Sequence, residues 1–190
     1  MAEQRIRAFV AVDMDEASVI SKLVEAQRAL RDLGADLKLV EPENIHATVR
    51  FLGEVPAATI ELVKEQMNEV KFSAFDMEFT GLGAFPNLRK INVVWVGMRK
   101  GKEEISRIFE QLEPRFRKIG FEPDNRGFSP HVTIARVKTG RMREELAKFV
   151  DEMRDTPFGV VHVEEVRLKR SVLTPKGPVY STIHAVRASG

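Results

Sequence analysis

Two short phrases carry the residue types that could do acid–base chemistry: His46-Ala47-Thr48-Val49 and His131-Val132-Thr133-Ile134. Each reads His, any residue, Thr, aliphatic, and one falls in each half of the 190-residue chain. The chain has 4 histidines, so half of them open these phrases. Both lie in β-prone runs, where residues i and i+2 project from one face. His46 then shares a face with Thr48, and His131 with Thr133, while Ala47, Val49, Val132 and Ile134 turn toward a core. Two such strands facing each other would line a cleft with two imidazoles and two hydroxyls. That set suits in-line displacement at a phosphate ester. A neutral imidazole takes a proton from the attacking oxygen and an imidazolium gives one to the leaving oxygen, since histidine titrates at about 6.5. Hydroxyls and a guanidinium would hold the remaining phosphate oxygens.

Arg136, just after the second phrase, is the leading guanidinium. Its alternation is opposite to that of His131 and Thr133, so it reaches the same cleft only through a strand end or a bulge. A single His-x-Thr in a strand is commonly structural. The weight rests on the second copy in a matching frame, with an upstream proline in each case, Pro42 and Pro130.

The elements that must position these residues follow from the apolar periodicity. Strands are predicted at Arg5–Val12, Leu37–Val40, Ile45–Leu52, Phe72–Leu82, Ile91–Met98, His131–Val137, Val160–Leu168 and Val179–Val186. Helices are predicted at Glu16–Leu33, capped by Asp13 or Asp15 and ended by Gly34, then at Ala57–Val70, Gly101–Ile119 and Arg141–Met153. Pro114 should kink or shorten the third helix. Gly83–Arg89 and Phe121–Pro130 read as loops, and Glu41–Asn44 and Thr174–Pro178 as turns. The pattern predicts an α+β fold with antiparallel or mixed sheets and helices on the outer faces.

Composition bounds the reading further. At 43% apolar residues, the chain can bury a substantial core. It has no Cys, so thiolate catalysis, disulfides and Cys-based zinc sites are excluded. There is no secretory signal and no apolar run long enough for a membrane helix, so the expected setting is the cytoplasm. The charged share of 31%, nearly balanced in sign, suits a thermophile. His162 and His184 lack a matched Thr and are expected to be structural or surface residues. No His-x-His or His-x-x-x-His spacing exists, so no metal is expected. Gly97–Lys102 lacks the glycine spacing and the Ser or Thr of a phosphate loop. Candidate basic contacts to a polyanionic backbone at the cleft are Arg50, Arg89, Lys90, Arg126, Lys169, Arg170 and Lys176. Phe51, Phe85 and Phe128 could stack a base. Of these, Phe51 has the wrong parity for the cleft and Phe128 is the best placed.

RIRAFVAVD at the start, PENIHATVRFLGEV and FSPHVTIARV together resemble the two-histidine (2H) phosphoesterase superfamily, and more closely its bacterial and archaeal RNA 2′,3′-cyclic phosphodiesterases, also called 2′-5′ RNA ligases. The resemblance covers essentially the whole chain. It implies a bilobal 2H phosphoesterase-like fold, with residues 1–190 forming a single domain of two pseudo-symmetric lobes around a central cleft. It implies hydrolysis of an RNA 2′,3′-cyclic phosphate end to a 2′-phosphate without metal or other cofactor, with 2′-5′ ligation as the reverse reaction. His46 and His131 become the catalytic pair, His46 as acid to the 3′-oxygen and His131 as base for water. Thr48, Thr133 and Arg136 become the phosphate-binding set. The partner is RNA with a cyclic phosphate end, and a monomer is expected. Two other readings stand beside this one: a non-catalytic RNA-binding module, and a phosphodiesterase acting on small cyclic nucleotides or 2′-5′ oligonucleotides.

Overall fold

A computed structural model describes residues 4–125 and 127–189. Among the described residues, nine strands form an antiparallel sheet: β1 (Arg5–Asp13), β2 (Leu37–Leu39), β3 (His46–Pro56), β4 (Phe75–Asn87), β5 (Lys90–Lys100), β6 (Val132–Val137), β7 (Pro157–Val163), β8 (Glu165–Thr174) and β9 (Gly177–Arg187). The strand order is β7-β4-β5-β6-β3-β1-β8-β9, with β2 on β6. The halves β7-β4-β5-β6 and β3-β1-β8-β9 meet where Ala47 of β3 pairs with Val132 of β6. What reads as two sheets is thus one sheet, joined between the two His-x-Thr phrases.

The helices α1 (Ala17–Asp32), α2 (Ala57–Asn68), α3 (Lys102–Lys118) and α4 (Arg143–Glu152) cover the sheet. Helix α1 packs on β6 and β7, α2 on β1, β3 and β9, α3 on β3 and β5, and α4 on β4 and β5. Their apolar faces, such as Ile105, Ile108, Leu112 and Phe116 of α3, are buried against it. Among the described residues, no helix is long and apolar enough to cross a membrane.

Several boundaries differ from the sequence expectation, each for a physical reason. Helix α1 is capped by Glu16, whose carboxylate accepts from the Ser18 amide and hydroxyl at 3.4 and 3.0 Å. Asp13 and Asp15 instead bind Arg167. Helix α3 runs through Pro114. The carbonyl that the proline leaves without a helical donor belongs to exposed Glu110, where water can serve it. The expected strand Val160–Leu168 is two, β7 and β8, split at exposed Glu164. Val161 and Val163 are buried before the break and Val166 and Leu168 after it, so the alternation slips by one residue.

The expected loop Gly83–Arg89 lies mostly in β4. Gly83 serves close approach instead of a turn: a Cβ there would sit 2.2 Å from the Trp95 indole. Gly83→Ala should displace the indole and cost about 1–3 kcal/mol by overpacking. Urea unfolding should show a lower midpoint at unchanged slope.

Candidate active site

Strands β1, β2, β3, β6, β8 and β9 enclose a cleft of about 540 Å³ that no α-helical residue lines. All five site residues read from the sequence, His46, Thr48, His131, Thr133 and Arg136, open onto it. The structure brings together what the chain keeps in separate halves.

The two imidazoles are held alike. His46 Nδ1 lies 2.8 Å from the carbonyl oxygen of Asn44, and His131 Nδ1 lies 2.7 Å from that of Ser129. A carbonyl only accepts, so each Nδ1 carries the hydrogen. In the neutral ring Nε2 then bears the lone pair. The bond partner stands two residues before the histidine in both cases. Each ring is also packed by two aromatic rings. His46 meets Phe9 and Tyr180 with centroids at 4.9 and 5.4 Å, and His131 meets Phe85 and Trp95 at 4.9 and 6.2 Å.

The two sites differ in polar surroundings. Thr48 Oγ1 lies 2.9 Å from His46 Nε2 and donates to its lone pair. Asp13 is the cross-strand partner of His46, and its carboxylate accepts from Lys169 and Arg167, both at 2.5 Å. These two cations hold the Asp13 carboxyl below the usual carboxylate range despite burial, and its ion partners push Arg167 upward. Burial pulls His46 below 6.5, opposed by its bond to the Asn44 carbonyl and by Asp13, and assisted by Lys169 and His131.

Arg136 reaches the cleft through a bulge, as its parity requires. Thr133 stands opposite Trp95, while Ala135 and Arg136 stand opposite Val94 and Val93, so Ile134 is the extra residue. After it, Arg136 shares the face of Thr133. The guanidinium makes no hydrogen bond or ion pair with any described residue and is exposed in the cleft.

A second bulge corrects the reading of Phe51. Ala11 pairs with Thr48 but Val10 with Arg50, so Val49 is extra, and Phe51 follows opposite Phe9. Phe51 therefore lines the cleft, with the Arg7 guanidinium 4.8 Å above its ring. Phe128 does not line it; it stacks on Phe109 at 4.6 Å and packs against the core. Phe85 supports His131.

Of the expected RNA contacts, Lys176 lines the cleft. Arg50 is buried, donating to Glu113 and to the carbonyls of Phe51 and Glu122, and Lys169 is buried on Asp13. Arg89, Lys90 and Arg170 do not line the cleft, and Arg126 lies outside the described residues. His162 and His184 sit away from the cleft, bonded to Asp76 and Asn68 at 2.7 and 2.8 Å.

The structure adds residues that sequence reasoning passed over. Arg7 and Lys38 supply cleft cations. Arg7 and Phe9 were findable as the i, i+2 pair of β1, but nothing marked that face as the one His46 would join. Tyr180, the lone Tyr of the chain, leans on both His46 and Phe9. Burial raises its phenol pKa, with Arg136 and Arg7 opposing. Asn44 is buried, and its amide donates to the carbonyl of Pro178 at 2.9 Å. One residue thus ties His46 to the start of β9. Among the described residues, no three His, Cys, Asp or Glu side chains are grouped to hold a metal ion.

The His46 environment predicts a titration that NMR can follow. Its midpoint should lie below 6.5, move lower in Asp13→Asn and move higher in Lys169→Met. The folded value is below the unfolded one, so the unfolded chain binds more protons at this site as pH falls below about 6.5. Stability from keeping this ring neutral is full above that pH and declines as pH drops toward the folded value. His46→Gln should therefore flatten the loss of Tm between pH 7 and pH 5.

The LigT-like phosphoesterase family matches this chain twice, over residues 13–95 and 96–180, and each match contains one His-x-Thr phrase. A curated relative from Aeropyrum pernix, named RNA 2′,3′-cyclic phosphodiesterase, is 39% identical over 90% of this chain and 97% of its own length. A relative of the same name from Methanothermobacter thermautotrophicus is 37% identical over 96% and 99%. Among solved structures, Escherichia coli LigT complexed with 3′-AMP superposes with a TM-score of 0.79 at 21% identity, covering 98% of this chain and 100% of that one. A Thermus thermophilus protein superposes at 0.78 and 28% identity, covering 96% and 97%. With both halves matched, the paired phrases lining one cleft and the whole fold shared, this chain belongs to the LigT-like phosphoesterase family.

Proposed function

We propose that this enzyme hydrolyses RNA 2′,3′-cyclic phosphate ends to a 2′-phosphate by two-histidine acid–base catalysis, with 2′-5′ ligation as the reverse reaction at the same site. One observation carries the reading: two imidazoles, each with Nδ1 committed to a main-chain carbonyl, line one cleft with two threonines and an unengaged arginine. The names of the curated relatives support the substrate class.

In the proposed reaction, His131 takes a proton from water as its oxygen attacks phosphorus. The bond from phosphorus to the 3′-oxygen breaks, and His46 gives its Nε2 proton to that oxygen. The products are a 3′-hydroxyl and a 2′-phosphate, and proton exchange with solvent resets the pair. Thr48, Thr133 and Arg136 hold the non-bridging oxygens, whose charge is greatest in the transition state. Arg7, Lys38 and Lys176 favour a polyanion at the cleft mouth.

The opposite proton direction has its own support. Burial favours a neutral His46, and Thr48 donates to its Nε2, which is the state of a base. For His46 to serve as acid, the substrate anion must raise its pKa on binding, so the pH limbs of kcat and kcat/KM should differ.

Turnover of an oligonucleotide bearing a 2′,3′-cyclic phosphate should persist in EDTA and give a 2′-phosphate with a bell-shaped pH profile. His46→Ala and His131→Ala should each lose on the order of 10²–10⁴-fold. Activity abolished by chelation, or retained in both variants, contradicts the mechanism. Tight RNA binding without turnover of any cyclic phosphate would make the protein a binding module. Faster turnover of mononucleotide than oligonucleotide cyclic phosphates would shift the substrate to small cyclic nucleotides. A substrate with sulfur in place of the 3′-oxygen tells acid from base, because a thiolate leaves without a proton. It should restore His46→Ala and leave His131→Ala inactive, whereas the reversed pattern exchanges their roles.

A further inference from the structure

Gln27 is a buried amide on an otherwise apolar helix face, flanked in α1 by Val19, Leu23, Ala26 and Leu30. Its Nε2 donates to the carbonyl of Val40 at 2.7 Å and to that of Ile134 at 2.9 Å. Ile134 is the bulge residue of β6, the one without a partner on β5. Its carbonyl also accepts from the Val40 amide at 3.0 Å. A bulge disrupts the ladder and must find other partners for its backbone groups. For the Ile134 carbonyl those partners are the Val40 amide and the Gln27 side chain. The bulge lies where β6 changes neighbour, from β3 at Val132 to β2 at Ala135.

The consequence reaches the cleft. Without the extra residue, Arg136 would return to the parity opposite Thr133 and leave the cleft face. We propose that Gln27 is a positioning residue for phosphate binding, fixing the Ile134 bulge that turns Arg136 and Thr133 to one face. This rests on the phosphate-binding role given above to Arg136. Gln27 touches no cleft surface, so it acts through the backbone of β6. The side-chain amide supplies both donated hydrogens from one nitrogen, which neither an apolar residue of the same length nor a shorter amide can do at this site.

A double-mutant cycle on kcat/KM tests it, using an oligonucleotide with a 2′,3′-cyclic phosphate. Gln27→Met keeps the length of the side chain and removes the donors; Gln27→Asn withdraws the amide by one methylene and serves if the first variant does not fold. Either should lower kcat/KM tenfold or more when Arg136 is present, and less than threefold in the Arg136→Ala background. Binding of inorganic phosphate should weaken in parallel, while the His46 titration midpoint stays in place. An equal loss in both backgrounds, or no loss in either, overturns the role of Gln27 and leaves the active-site reading standing. An Arg136→Ala variant as active as the native protein overturns both.

Discussion

An imidazole can exchange a proton at Nε2 in a defined direction only if Nδ1 is committed elsewhere. Here both rings make that commitment to a main-chain carbonyl two residues upstream, Asn44 for His46 and Ser129 for His131. The acceptor cannot titrate, so the tautomer holds across the working pH range. Because donor and acceptor belong to the same strand entry, each ring is aimed by its own strand. What remains for the fold is to bring the two strands together, and the pairing of Ala47 with Val132 does so.

Regular strands would not complete the site. A two-residue period delivers His46 with Thr48 and His131 with Thr133, but it sends Phe51 and Arg136 to the wrong face. An extra residue in each strand, Val49 in β3 and Ile134 in β6, reverses the parity just beyond the threonine. The two motif strands thus carry the same irregularity on the same side of their His-x-Thr phrase. In β3 it gives the cleft an aromatic wall and sends Arg50 inward to its ion pair with Glu113. In β6 it gives the cleft a guanidinium.

The electrostatics are unequal across this parallel frame. Beside His46, a half-buried carboxylate lies between two cations, so the ring feels Asp13 and Lys169 in opposition. His131 instead leans on Phe85 and Trp95, with Gly83 making room for the indole. The two rings thus match in tautomer and differ in their charged surroundings, and burial favours the neutral form of His46.

The five residues that line the cleft together, His46, Thr48, His131, Thr133 and Arg136, and most helices were legible in the sequence, because residue type, i and i+2 spacing and amphipathic period are properties of neighbouring residues. The split of β7 from β8 was not read, because the apolar run Val160–Leu168 is continuous in hydrophobicity and only burial shows the slip from Val161 and Val163 to Val166 and Leu168. The extension of β4 past Gly83, the inward turn of Arg50 and Lys169, and the cleft positions of Phe51, Tyr180 and Arg7 were decided only in three dimensions. Each depends on a partner far along the chain: Trp95 for Gly83, Glu113 for Arg50, Asp13 for Lys169, His46 for Tyr180. The sequence by itself determined which groups are candidates for the proposed chemistry, since their residue types and local frames single them out. Tertiary structure decided which groups surround them, since register, bulges and buried charge pairs are set by contacts between residues that the chain does not place side by side.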